Sequence, residues 1–234
     1  MANIAQPYSD VTLGVERTTF IRSAYTHLAV ALLAFTAVSA ALYISGVGLA
    51  MLKLLMLGKF MWLGFMGAFM LVGWLASHMA DTAASNERQR VGLGVYVVAE
   101  ALMFAPLFAI AGKVAPSAIG AAAFITLVLV GGLTYTAFTM KKDFSFLGGL
   151  LKVGGMVALG AIVASVIFGF SLGIWFSALM VMFAGGAVLY DTSNIIHHYP
   201  TDRPAGAALH LFASIALMLW YVLRILLSLA SSRD

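Results

Sequence analysis

Apolar runs of about 20 residues recur along the chain, each closed by a short polar interruption, and this repeat predicts the architecture. A helix rises 1.5 Å per residue, so about 20 such residues cross the ~30 Å hydrocarbon layer of a bilayer. Seven runs meet that length: 25–44, 60–79, 91–112, 117–139, 148–170, 173–198 and 204–229. The expected fold class is therefore all-α, a polytopic membrane protein with seven transmembrane helices. Residues 1–24 are read as a short cytoplasmic N-terminal tail with the first turns of the opening helix, and residues 25–234 as one transmembrane domain. The stretch 46–59, which contains Lys53 and Lys59, is read as a connector. The start of the chain has no early apolar core and no small-residue cleavage site, so it does not read as a cleaved signal peptide.

Polar residues inside the last two runs carry the candidate chemistry. Asp191 lies near the end of run six, where a carboxylate persists only against protein, water or a cationic partner. In run seven, His210, Ser214, Leu217, Tyr221 and Arg224 are separated by four, three, four and three residues. That spacing puts them on one helix face, a polar stripe that can turn toward Asp191. Depth along the helices lets Asp191 and His210 meet, either as a proton-driven switch or with His210 uncharged and bonded to a carbonyl. Glu100 falls near the midplane in run three, where it must be protonated, paired or hydrated. It reaches the depth of Ser214 and reads either as interhelical glue or as part of a proton or ion path. Asp191, Glu100, His210 and Ser214 form the candidate pH or ion site, with Tyr221 and Arg224 as the supporting stripe.

Composition excludes several classes. The chain is 62% hydrophobic and 9% charged, against about 25% charged in a soluble domain. Arg17, Arg22, Arg88, Arg90, Lys141, Lys142 and Arg203 fall on the side of the N-terminus, while Lys53, Lys59, Lys113 and Arg233 fall on the other. Positive residues favour the cytoplasmic side, so the N-terminus is expected there. The net charge of +4 follows from that rule, and no loop has the basic and aromatic density of a nucleic-acid site. With no cysteine there is no disulfide and no thiolate metal site, and His197 beside His198 faces a different way on a helix. No metal or cofactor is expected. No phosphate loop, H-E-x-x-H or G-x-S-x-G motif occurs, so the chain does not read as an enzyme.

Four segments are informative together: KKDFSFLGGLL at 141–151, LYDTSNIIHH at 189–198, EALMFAP in run three and the closing LASSRD. In these the chain resembles the Bax inhibitor-1 superfamily and, within it, the bacterial YccA branch. The resemblance implies six helices surrounding the seventh. Some members of the superfamily show a pH-sensitive calcium leak attributed to two aspartates. Asp191 takes the first position, but ALHLFAS places Ser214 where the second would stand. The YccA branch has a serine there too, and it implies a non-enzymatic inner-membrane protein that is both substrate and modulator of the FtsH membrane protease. The N-terminal tail would then be the handle that the protease grips. The alternative is a pH-sensitive calcium or cation leak, with calcium entering only as the permeant ion.

Overall fold

Each apolar run becomes a helix in the computed structural model, which describes residues 6–82, 85–140 and 142–232. Residues 1–5 of the tail, Lys141 and Arg233 lie outside the described residues. The helices are α1 (Gln6–Ile44), α2 (Val47–Leu55), α3 (Lys59–Thr82), α4 (Asn86–Val114), α5 (Ser117–Met140), α6 (Leu147–Phe168), α7 (Gly173–His197) and α8 (Pro204–Ser231), and no strand occurs among the described residues. Seven of these are long and apolar enough to span a bilayer.

Two expectations change. The opening helix begins at Gln6, so the stretch read as a tail with the first turns of that helix is helical from Gln6 onward. The physical reason is a stripe that precedes the apolar run. Phe20, Ala24, Leu28, Ala31 and Phe35 are all buried and follow one another at helical spacing, so the core face of α1 starts in polar sequence. The connector after run one also contains a helix, α2. Gly46 ends the preceding turn at φ 76, a left-handed conformation that suits glycine, and Val47–Leu55 then folds back to pack on α4.

Local signals fix the other ends. Ser85 caps α4, accepting from the Arg88 amide at 3.4 Å, and Pro204 opens α8 where its missing amide hydrogen costs nothing. The final helix is the axis of the bundle. It packs directly against α1, α3, α4, α5 and α7, while α6 bridges α7 and α3 and completes the surround. In α4 and α8, 56% of the central span is buried, compared with 28% or less in the other five spans. Phe35, Phe104 and Phe212 lock α1, α4 and α8 together, with ring centroids 5.2 Å apart for Phe35–Phe104 and 5.7 Å for Phe35–Phe212. Outward-facing side chains such as Leu33, Phe168 and Trp175 are exposed and apolar, as the lipid-facing side of a spanning helix must be.

Candidate functional site

The polar stripe of α8 points inward, and its hydroxyl and imidazole each find an acid. Ser214 Oγ donates to Asp191 Oδ2 at 2.5 Å, a short O–H···O hydrogen bond. This joins α8 to the end of α7, the helix toward which the spacing turns the stripe. His210 does not hydrogen-bond Asp191. Its Nε2 donates to both carboxylate oxygens of Asp81, at 3.1 and 3.0 Å, and Asp81 comes from the last turn of α3. On α8, His210 and Ser214 are one turn apart on the same face, and each takes a different acid.

Asp81 is the residue that sequence reasoning missed, and it is the hub of this end of the bundle. Its Oδ1 also accepts from the Tyr199 hydroxyl at 2.5 Å, and its backbone carbonyl accepts from Arg203 Nη1. Tyr199 and Arg203 lie in the turn between α7 and α8. Burial, then the neighbouring Asp81 carboxylate, push the Tyr199 hydroxyl well above its ordinary value, so it remains a donor. Close approach here requires a glycine. A Cβ on Gly206 would lie 2.7 Å from Tyr199 Oη and 2.9 Å from both Asp81 Oδ1 and the Ala80 carbonyl oxygen. The available signal was a lone aspartate closing a long apolar run on the same face as His210, but nothing local in MADTAAS selects its partner.

A second cluster lies on the same face, in the loop between α5 and α6. His198 Nε2 donates to Asp143 Oδ2 at 2.7 Å, Ser193 Oγ donates to Asp143 Oδ1 at 3.3 Å, and the Phe144 amide donates to Ser193 Oγ at 2.9 Å. The His198 bond, then the Ser145 amide, hold the Asp143 carboxyl well below the usual carboxylate range. The loop that carries Lys142 and Asp143 is therefore tied to the end of α7.

The remaining candidates stand apart. Glu100 is 7% exposed on the face of α4 that carries Tyr96 and Phe104, and no hydrogen bond joins it to Ser214 or Asp191 among the described residues. The hydrogen bond that depth alone allowed between Glu100 and Ser214 is replaced by the one to Asp191. Tyr221 and Arg224 continue the stripe roughly 10 Å further along α8. Tyr221 is buried edge-on against Phe176 at 5.9 Å, with the Arg224 guanidinium 5.9 Å from its ring centre, so this part of the stripe packs α8 against α7. No group of three histidines, aspartates or glutamates that could hold a metal occurs among the described residues.

Fold and site together define a multi-pass helical membrane protein whose central helix presents polar groups to acids on its neighbours. The sequence profile described as "Inhibitor of apoptosis-promoting Bax1" matches residues 17–232, and the chain belongs to the Bax inhibitor-1 family. Among curated relatives, "Uncharacterized protein PA2604" of Pseudomonas aeruginosa is 40% identical over 82 residues, which is 35% of this chain and 37% of that protein. "Modulator of FtsH protease YccA" of Escherichia coli is 42% identical over 65 residues, 27% of this chain and 30% of that protein. A second Escherichia coli relative, "Inner membrane protein YccA", matches to the same extent. The matched stretches thus span about a third of each relative's length.

Proposed function

We propose that this protein is a non-enzymatic inner-membrane protein that modulates an FtsH-type membrane protease and is itself its substrate, with its N-terminus in the cytoplasm. The observation that carries the reading is the 42% identity to a relative named as a modulator of that protease. The site is compatible with it. Ser214 donates to Asp191 and His210 Nε2 to Asp81, so the hydroxyl and the imidazole are not paired with each other as nucleophile and base. Asp191, His210 and Ser214 act in this reading as fasteners of the central helix. The test is turnover in cells that contain the protease. Deleting Met1–Val15 removes the first turns of α1 but keeps its buried stripe from Phe20 onward, and it should lengthen the half-life several-fold while the bundle stays folded. Turnover at the parental rate would argue against the proposal.

A second reading, a pH-sensitive calcium or cation leak, is favoured by one specific observation: Asp81 and Asp191 flank His210 and Ser214 at the same end of α8. Two acids there supply the negative charge that the Ser214 position alone lacks. On this reading, vesicles holding the purified protein pass calcium with a pH dependence that Asp191→Asn alters. Vesicles that stay tight at every pH would exclude it. Among the described residues, Glu100 makes no hydrogen bond to Asp81, Asp191, His210 or Ser214, so this second reading rests on the two aspartates.

A further inference from the structure

The start of α1 is fastened to the far end of the sequence. Arg17 Nη1 donates to the Tyr199 carbonyl at 2.6 Å and to the Ile195 carbonyl at 3.5 Å, and Nη2 donates to the His197 carbonyl at 3.4 Å. A helix leaves its last four carbonyls without intrahelical partners and carries the negative end of its dipole there. One guanidinium therefore meets the exposed oxygens and the charge at the end of α7. One turn further along α1, Phe20 is 3% exposed and stacks on the Tyr199 ring, centroids 6.1 Å apart and planes within 12°. The Arg17 guanidinium also lies 5.5 Å from the Phe20 ring centre. The opposite end of Tyr199, its hydroxyl, is the group that bonds Asp81. An unbroken line of contacts therefore runs from the N-terminal end of α1, through the α7–α8 turn, to the acid that holds His210.

We propose that Arg17 and Phe20 act as a bolt between α1 and the α7–α8 turn, which a protease pulling on the N-terminus must draw before it can extract the first helix. The bolt thus sets how fast this chain is degraded. The inference rests on the reading of the protein as a protease substrate gripped by its N-terminus. Among residues whose side chains are described, Arg17 is the first from the N-terminus to bond another helix, so a pull from that end loads it before any other interhelical hydrogen bond. Once it is drawn, Tyr199 loses its stacking partner and its carbonyl's donor, and the turn that orders Asp81 is freed.

The test is degradation of the purified chain in proteoliposomes by an FtsH-type protease with ATP, at protease excess so that extraction and not capture limits the rate. Losing a charge-assisted bond to a partly buried carbonyl converts to roughly tenfold in an opening equilibrium, so Arg17→Gln should be degraded roughly ten times faster than the parent. Amide exchange over residues 195–203 should rise alongside. Arg17→Lys keeps the charge and at most part of the bonding, and it should fall between the two. It also carries the test if Arg17→Gln fails to fold, since it must still outpace the parent. A chain lacking Met1–Val15 separates the two ideas. If that chain resists while Arg17→Gln, or a folded Arg17→Lys, is degraded at the parental rate, the bolt is overturned and the substrate reading stands. If that chain is degraded like the parent, the N-terminal grip fails, and the bolt's role in degradation fails with it.

Discussion

The hub at Asp81 yields the sharpest stability prediction. Asp81→Asn removes the charge that two donors share, His210 Nε2 at 3.0–3.1 Å and the Tyr199 hydroxyl at 2.5 Å, but leaves the backbone bond from Arg203 in place. Breaking a fully buried ion pair costs about 3–5 kcal/mol, whereas exposed pairs are worth about 0.2–1 kcal/mol. The Asp81 and His210 side chains retain 35% and 40% of their exposure, so the expected loss lies between these limits, at about 2 kcal/mol. The amide oxygen that replaces the carboxylate can still accept from Tyr199 but pairs poorly with an imidazole. Most of the loss should therefore be coupling to His210. A double-mutant cycle of Asp81→Asn with His210→Gln, followed by unfolding in mixed micelles, should give a coupling of about 1.5 kcal/mol, and the cycle with Tyr199→Phe a smaller one. Additive losses, with coupling to His210 under about 0.3 kcal/mol, would refute the claim that Asp81 is the histidine's partner.

Other expectations follow from the same geometry. Gly206→Ala puts a methyl against Tyr199, Asp81 and the Ala80 carbonyl, and should destabilise by about 1–3 kcal/mol and abolish the Asp81–His210 coupling; an unchanged cycle in that background would count against the close approach. Ser214→Ala should cost about 1–3 kcal/mol by leaving Asp191 without its donor, and the additional Asp191→Asn should recover part of that loss. The Asp143 carboxyl is depressed in the folded protein below its ordinary value near ~4, so its contribution is whole above that pH and is lost as pH falls through the folded value. A carboxyl NMR titration should find its midpoint below that of an unpaired aspartate, and His198→Ala should return it toward normal. A normal midpoint in the intact protein would show that the loop is not tied to α7.

The fold was legible because hydrophobic thickness is a strong local constraint. Six of the seven spans begin within five residues of where apolar length alone puts them, and α5, α7 and α8 begin at the predicted residue. Two parts were not legible by that rule. The first turns of α1 carry their core face in polar sequence, with Phe20 and Ala24 spaced for burial but surrounded by Glu16, Arg17 and Arg22. Helix α2 is only nine residues long and contains Lys53, too short and too polar for a spanning run.

The site divides in the same way. That the polar face of α8 turns toward the end of α7 was legible, because the helical period fixes that face and the intervening turn is short. The pairing was not, since depth alone set Ser214 level with Glu100 and Asp191 with His210. Which acid His210 takes is a tertiary matter, since α3 and α8 are separated by more than a hundred residues and their meeting depends on how α3 lies against the axis. Arg17 was harder still. Its partners are backbone carbonyls, which have no signature in the sequence, so it read as one more positive charge beside the membrane.

The central claim is that this chain acts on membrane proteolysis, and it is tested most directly by reconstitution. An FtsH-type protease would be placed in liposomes with a third membrane protein that it degrades, with or without an equimolar amount of this protein lacking Met1–Val15, so that the added chain modulates without being consumed. The account predicts that degradation of the third protein slows several-fold, and that an unrelated seven-helix protein has no such effect. Degradation at the same rate with and without the chain would contradict it.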